Sequence, residues 1–109
     1  MANHFNHKDA EWKAYNVKGF SGSEIINLPN GTLKYVKVEA NSVFPTHLHV
    51  DKLEFAVVVE GTATLTVDTN SYIAKVGEVV KFPEKTNHAI ANHTNQTLIL
   101  LVGAINTEE

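Results

Sequence analysis

From Gly19 to Ile105 the chain is cut into short β-branched and apolar runs by turn-forming residues, and nothing in that span carries a helical repeat. The runs fall at residues 23–28, 32–40, 43–49, 53–60, 62–67, 72–75, 78–82, 87–91 and 97–105. Pro29-Asn30-Gly31 separates the first two, and Asn-Gly suits a tight hairpin. Residues 62–67 set Thr against Ala63, Leu65 and Val67, a period of two that gives one apolar face and one mildly polar face. A second hairpin is expected over 72–82, turning at Gly77. About eight to ten short strands at such spacing predict an all-β, antiparallel sandwich or barrel. The 109 residues suit one domain: residues 1–18 as an N-terminal arm and 19–109 as a single barrel domain.

The arm is mixed and polar. Residues 9–15 allow one or two helical turns, or an extended segment lying across the body or onto a second subunit. Trp12 in so polar a setting predicts docking. His4 and His7 read as mobile surface histidines. Residues 107–109 read as a frayed tail.

The chemistry is concentrated between Thr46 and Gly61. His47 and His49 are two apart, so on a strand both imidazoles reach one point. Glu54 opens the next apolar run, where an ionised carboxylate needs a partner. Two imidazoles and a carboxylate that converge are an ordinary divalent-metal set, although a hydrogen-bonded His pair beside a solvated Glu has the same local sequence.

Composition removes other classes. Net charge is −3 and no basic run occurs, so no nucleic acid is expected as a partner. All nine basic residues are lysine, so an anionic substrate would depend on Lys, backbone N–H groups or a metal. The absence of cysteine excludes disulfides, thiolate ligation and a Cys nucleophile. No apolar run approaches membrane-spanning length and residues 1–8 lack the apolar core of a signal peptide, so a cytoplasmic protein is expected.

Two spacings extend the metal set. One is His47-x-His49, four residues, Glu54, six residues, Gly61. The other is Gly77, five residues, Pro83, then His88, three residues, Asn92. Together they resemble the two motifs of the cupin superfamily, over residues 47–92. The resemblance implies a double-stranded β-helix, the jelly-roll or cupin barrel. It also implies His47, His49, Glu54 and His88 as ligands of one divalent transition metal per chain, Fe, Mn, Zn or Ni. Three neutral imidazoles and one carboxylate carry a charge of −1 and suit such borderline cations. An octahedral ion would keep two positions for water or substrate. Asn92 reads as a turn residue and His93 as surface.

Two positions depart from the family pattern. Its opening glycine is Asn41 here, which tolerates positive φ. Its glycine after the proline is Lys85, which adopts that conformation less freely, so the loop is expected to take another path. Lys85 also brings an amine near His88, read as incidental. Expected pocket walls are Ala56 and Val58 on the face of Glu54 and Ile90 on that of His88, with Phe44, Tyr35, Phe82 and Leu100 as further candidates. Glu60 reads as solvated.

The resemblance implies a small metal-dependent enzyme of dioxygenase, isomerase or lyase type. Its substrate is expected to be an oxygen-rich small molecule that chelates the metal. Glu54 is the one residue with a conceivable catalytic role, as a base released from the metal. The alternative is a non-catalytic binding or sensor module. Homodimerisation is expected, through apolar strands such as residues 98–102 and the arm.

Overall fold

The computed structural model describes residues 2–107. A 3-10 turn, His7–Asp9, precedes ten strands: β1 (Lys13–Ala14), β2 (Phe20–Leu28), β3 (Gly31–Val38), β4 (Ser42–His47), β5 (Lys52–Glu60), β6 (Ala63–Val67), β7 (Asn70–Ala74), β8 (Val79–Phe82), β9 (His88–Asn92) and β10 (Leu98–Asn106). They form two antiparallel sheets, β1-β2-β3-β10-β5-β8 and β4-β9-β6-β7. This is the all-β jelly roll expected, and from β4 onward the chain passes repeatedly from one sheet to the other.

The period of two decides what lies between the sheets. Val36 and Val38 of β3, Ala56 and Val58 of β5, Ala63 and Leu65 of β6, and Leu98, Leu100 and Val102 of β10 turn inward with Phe20 and Phe82. Leu65, Leu98 and Leu100 are fully buried, so cutting any of them to Ala costs about 2–5 kcal/mol. Gly61 closes β5 with φ +86°, and a Cβ there would press within 2.7 Å of the Thr97 carbonyl oxygen, so the turn requires glycine.

Several expectations need correction. Residues 72–82 are not a hairpin. β7 pairs with β6, and β8 pairs with β5 in the other sheet. At Gly77 the chain changes sheets, its N–H held by the Val58 carbonyl. The tight hairpin lies one step earlier, between Val67 and Asn70, with Asp68 at φ +59°. No helix forms over 9–15: a single 3-10 turn sits at 7–9, and Lys13 and Ala14 extend to pair with Gly22 and Ser21. In strand 98–102, Leu98, Ile99, Leu100 and Val102 are buried inside the chain and Leu101 is half-buried. Thr107 is not frayed. Its N–H donates to the Asp51 carbonyl and its hydroxyl to Glu84; residues 108 and 109 lie outside the described part.

The arm does dock, on its own barrel. His7 packs edge-on against Tyr35 with Nε2 3.8 Å from Glu60, so it is not the free surface histidine expected, whereas His4 is exposed. Lys37 lies over the Trp12 ring, 4.9 Å from its centroid. Tyr35 and Lys37 alternate with inward-facing Val36 and Val38, so residues 7–12 cross the outer side of β3. After β1 pairs with the edge strand, Tyr15 lands on the inner side, against Gly22, where a Cβ would collide with its hydroxyl. Residues 7–15 thus wrap the edge of the larger sheet.

Candidate metal centre

The site is built where the two sheets approach at one end of the barrel. His47 ends β4, opposite His88 at the start of β9. Glu54 comes from β5 of the other sheet, opposite Phe82 of β8 and Ala104 of β10. His49 lies just past the end of β4, in the connection to β5.

A bulge aims His47. Phe44 pairs with Ile90 and His47 pairs with His88, three residues on β4 against two on β9. Unbroken alternation would turn Phe44 and His47 to opposite faces. Pro45 supplies no N–H to the ladder, and the extra residue at that point restores His47 to the inner face. Its Nδ1 lies 3.0 Å from the Pro45 carbonyl oxygen. That contact orients the ring and selects the tautomer that leaves Nε2 free as an acceptor.

One ligand atom from each of His47, His49, Glu54 and His88 lies within 4.8 Å of the other three. Glu54 Oε1 is 3.2 Å from His49 Nε2 and 3.3 Å from His88 Nε2. Despite that proximity Glu54 Oε1 makes no aligned hydrogen bond, and neither does the buried His88 Nδ1. A buried carboxylate oxygen without a partner costs about 1–3 kcal/mol. A divalent cation among the four side chains would satisfy the carboxylate, and the donor set, three N and one O, fits one.

Aromatic rings hold the imidazoles. Phe82 stacks on His88 at 4.5 Å between centroids, and Phe44 packs against His47 at 4.9 Å. Burial lowers the pKa of His47, and the neighbouring His88 and His49 lower it further against the Pro45 contact. Burial alone would raise that of Glu54, but His88, His49 and His47 outweigh it and the net shift is downward. Both shifts favour neutral His47 and ionised Glu54, the forms that ligate.

The four residues form one end of a cavity of about 370 Å³. Of the expected walls, Phe44, Phe82 and Ile90 line it. Ala56, Val58 and Leu100 lie beneath, in the core, and Tyr35 faces the arm on the outer side. Sequence reasoning missed Tyr15, Asn16 and Val17 of the arm, Phe20 of β2, Lys34 and Val36 of β3, and Val102. For Lys34 and Val36 the signal was present, since they continue the inward alternation that ends at Val38.

The two departures from the family pattern resolve differently. Asn41 takes φ +58°, as its residue type allows. Lys85 also takes the left-handed conformation, φ +59°, so the loop keeps the path that a glycine would give. Its N–H donates to the His49 carbonyl at 2.7 Å, which holds the backbone there, while the exposed side chain does not reach the cavity wall. Asn92 is fully buried and is no ligand. Its Nδ2 donates to the carbonyls of Val38, Glu39 and Gln96, and its Oδ1 accepts from Thr94 N–H and hydroxyl. His93 is exposed.

The cupin-domain family model matches residues 34–103, which include all four ligand candidates. The chain belongs to the cupin family. Solved cupin structures superpose closely. A cupin domain from Schizosaccharomyces pombe matches with a TM-score of 0.86 at 12% identity, over 95% of this chain and 74% of that one. A predicted oxalate decarboxylase from Thermotoga maritima gives 0.83 at 16%, over 93% and 96%. A cupin-superfamily sugar phosphate isomerase from Silicibacter pomeroyi gives 0.79 at 21%, over 95% and 76%. At these identities the likeness shows the cupin barrel alone. No curated protein matches the chain in sequence. No helix of the described residues is long and apolar enough to cross a membrane.

Proposed function

We propose that this cupin is a metal-dependent enzyme that binds an oxygen-rich small molecule by chelation to an ion held by His47, His49, Glu54 and His88. The observation that carries this reading is the convergence of four ligand atoms within 4.8 Å, with Glu54 Oε1 unpartnered, at the end of a 370 Å³ cavity. Similar barrels include proteins described as a predicted oxalate decarboxylase and a sugar phosphate isomerase, which supports turnover without choosing the reaction. The bound metal, Fe, Mn, Zn or Ni, would supply Lewis-acid or redox chemistry. The chain's own part is positional. Pro45 orients His47, Phe82 and Phe44 fix the rings, and the apolar wall of Phe44, Phe82, Ile90 and Val102 excludes water from a chelated ligand.

A second reading, a non-catalytic binding module, is favoured by one feature. Beyond the four ligand candidates, only Lys34 and Tyr15 among the lining residues carry a group able to exchange a proton. Elemental analysis of the purified protein beside a His47→Ala, His88→Ala variant tests both readings. About one transition metal per chain in the wild type, lost in the variant, is the expected result. Absence of metal in both after anaerobic reconstitution would remove the metal reading. A metal-loaded protein that returns every chelating substrate unchanged would favour the binding module.

A further inference from the structure

The cavity has one cation in its wall, and its place is unusual. Lys34 precedes Val36 and Val38 on the inward face of β3, where the fold elsewhere places valine, and it lines the cavity with Val36. It is half-buried, and its Nζ lies 5.2 Å from the centroid of the Tyr15 ring, which the arm carries to the inner side. An ammonium over an aromatic face is stabilised there without being neutralised. Glu24 lies directly across the β2–β3 ladder; it is exposed and lines a surface groove that Lys34 and Tyr15 also border, but it does not line this cavity. Among the described residues Lys34 forms no ion pair. A half-buried ammonium in a mostly apolar cavity wall can form a charge-assisted hydrogen bond to an anionic ligand.

We propose that Lys34, held by Tyr15, is an anion-recognising residue of this cavity, and that the ligand is a small dicarboxylate-type acid. One end would chelate the metal and a second carboxylate would pair with Lys34. This rests on the metal reading above. Charge supports the count of two. A divalent ion with Glu54 as its one anionic ligand retains a charge of +1, which one carboxylate matches. Lys34 matches one more. A phosphate dianion paired with Lys34 alone would leave one negative charge unmatched there, in a chain without arginine. Lys34 is a specificity residue in this account; it donates a hydrogen bond to the far end of the ligand and takes no part at the metal.

The test is calorimetric titration of the zinc-loaded protein with malate and α-hydroxyglutarate. Each is compared with the monoacid of equal chain length, α-hydroxybutyrate or α-hydroxyvalerate. The chelating end is constant and only the second carboxylate changes. A charge-assisted hydrogen bond predicts that at least one diacid binds about tenfold or more tightly than its monoacid. Lys34→Met removes that difference, Lys34→Arg keeps most of it, and zinc content stays the same in all three proteins. Lys34→Gln serves in place of the methionine variant if the latter does not fold. Equal binding of diacid and monoacid by the wild type, binding of none of the four, or a difference that survives loss of the lysine overturns the proposal. Zinc content separates the two levels: a protein that holds zinc but shows no difference loses the anion subsite alone, and one that holds no zinc loses the metal reading.

Discussion

Lys85 holds a left-handed backbone at φ +59° without the freedom of glycine, and an L-residue there costs about 1–2 kcal/mol. The conformation persists because its N–H is committed to the His49 carbonyl, which ties the loop before His88 to the segment carrying another ligand candidate. Glycine at this position keeps the N–H and removes the steric cost. Lys85→Gly is therefore expected to raise stability by about 0.5–1 kcal/mol, after the extra entropy of the unfolded chain is subtracted. The denaturation midpoint in urea should rise with an unchanged slope, and metal content should not change. A fall in the midpoint would show that the lysine side chain contributes more than its exposure implies. The sequence revealed that Lys85 replaces a glycine but not that the backbone stays on the glycine path, because residue preference alone cannot weigh a tertiary hydrogen bond against local strain.

At the level of the strand, Asn92 joins the end of β9 to the end of β3. Five hydrogen bonds converge on one amide with no exposed surface. Asn92→Ala leaves the Val38 and Gln96 carbonyls and the Thr94 donors to find other partners, and a loss of about 2–4 kcal/mol is expected. Thermal unfolding measures it. A loss below about 0.5 kcal/mol, the ordinary surface level, would mean that water replaces the amide. Strand positions were legible from alternation and turn residues, and most run to within a few positions of their observed ends. Pairing was not. Periodicity gives the faces of residues 72–74 and 79–82 but not their partners, so two strands from different sheets read as one hairpin. The bulge at Pro45 was signalled only by the proline. Even so, the spacing pattern singled out His47, which the bulge brings beside His88, because it records the outcome of the bulge without revealing its cause.

Across the whole molecule, the four ligand candidates come from both sheets and the connection between them, whereas the walls come from distant parts of the chain. The clustering of the ligand candidates was legible because they fall within residues 47–92 at recognisable spacings. The meeting of Tyr15 with Lys34 was not, since nothing local to the arm or β3 reveals it. An ion held by His47 and His88 on one sheet and Glu54 on the other would link the two layers. Its removal should therefore be felt beyond the site. Chelation is expected to lower the melting temperature by mass action and to speed amide exchange in β4, β9 and β5 together. Hydrogen exchange with and without metal measures this. Faster exchange confined to residues 47–49 would mean that the sheets are held together by the core alone.

The strand order carries one more consequence. β10 is the last strand of the barrel in sequence yet lies in the middle of the larger sheet, between β3 and β5. During synthesis, residues 31–60 must wait for their shared neighbour until residues 98–106 have left the ribosome. The strand that carries Glu54 has no settled place before then. Capture of a metal by the proposed site would thus belong after translation of the barrel, and a nascent chain ending before Leu98 should emerge as an unassembled polypeptide that carries all four ligand candidates and binds no metal tightly.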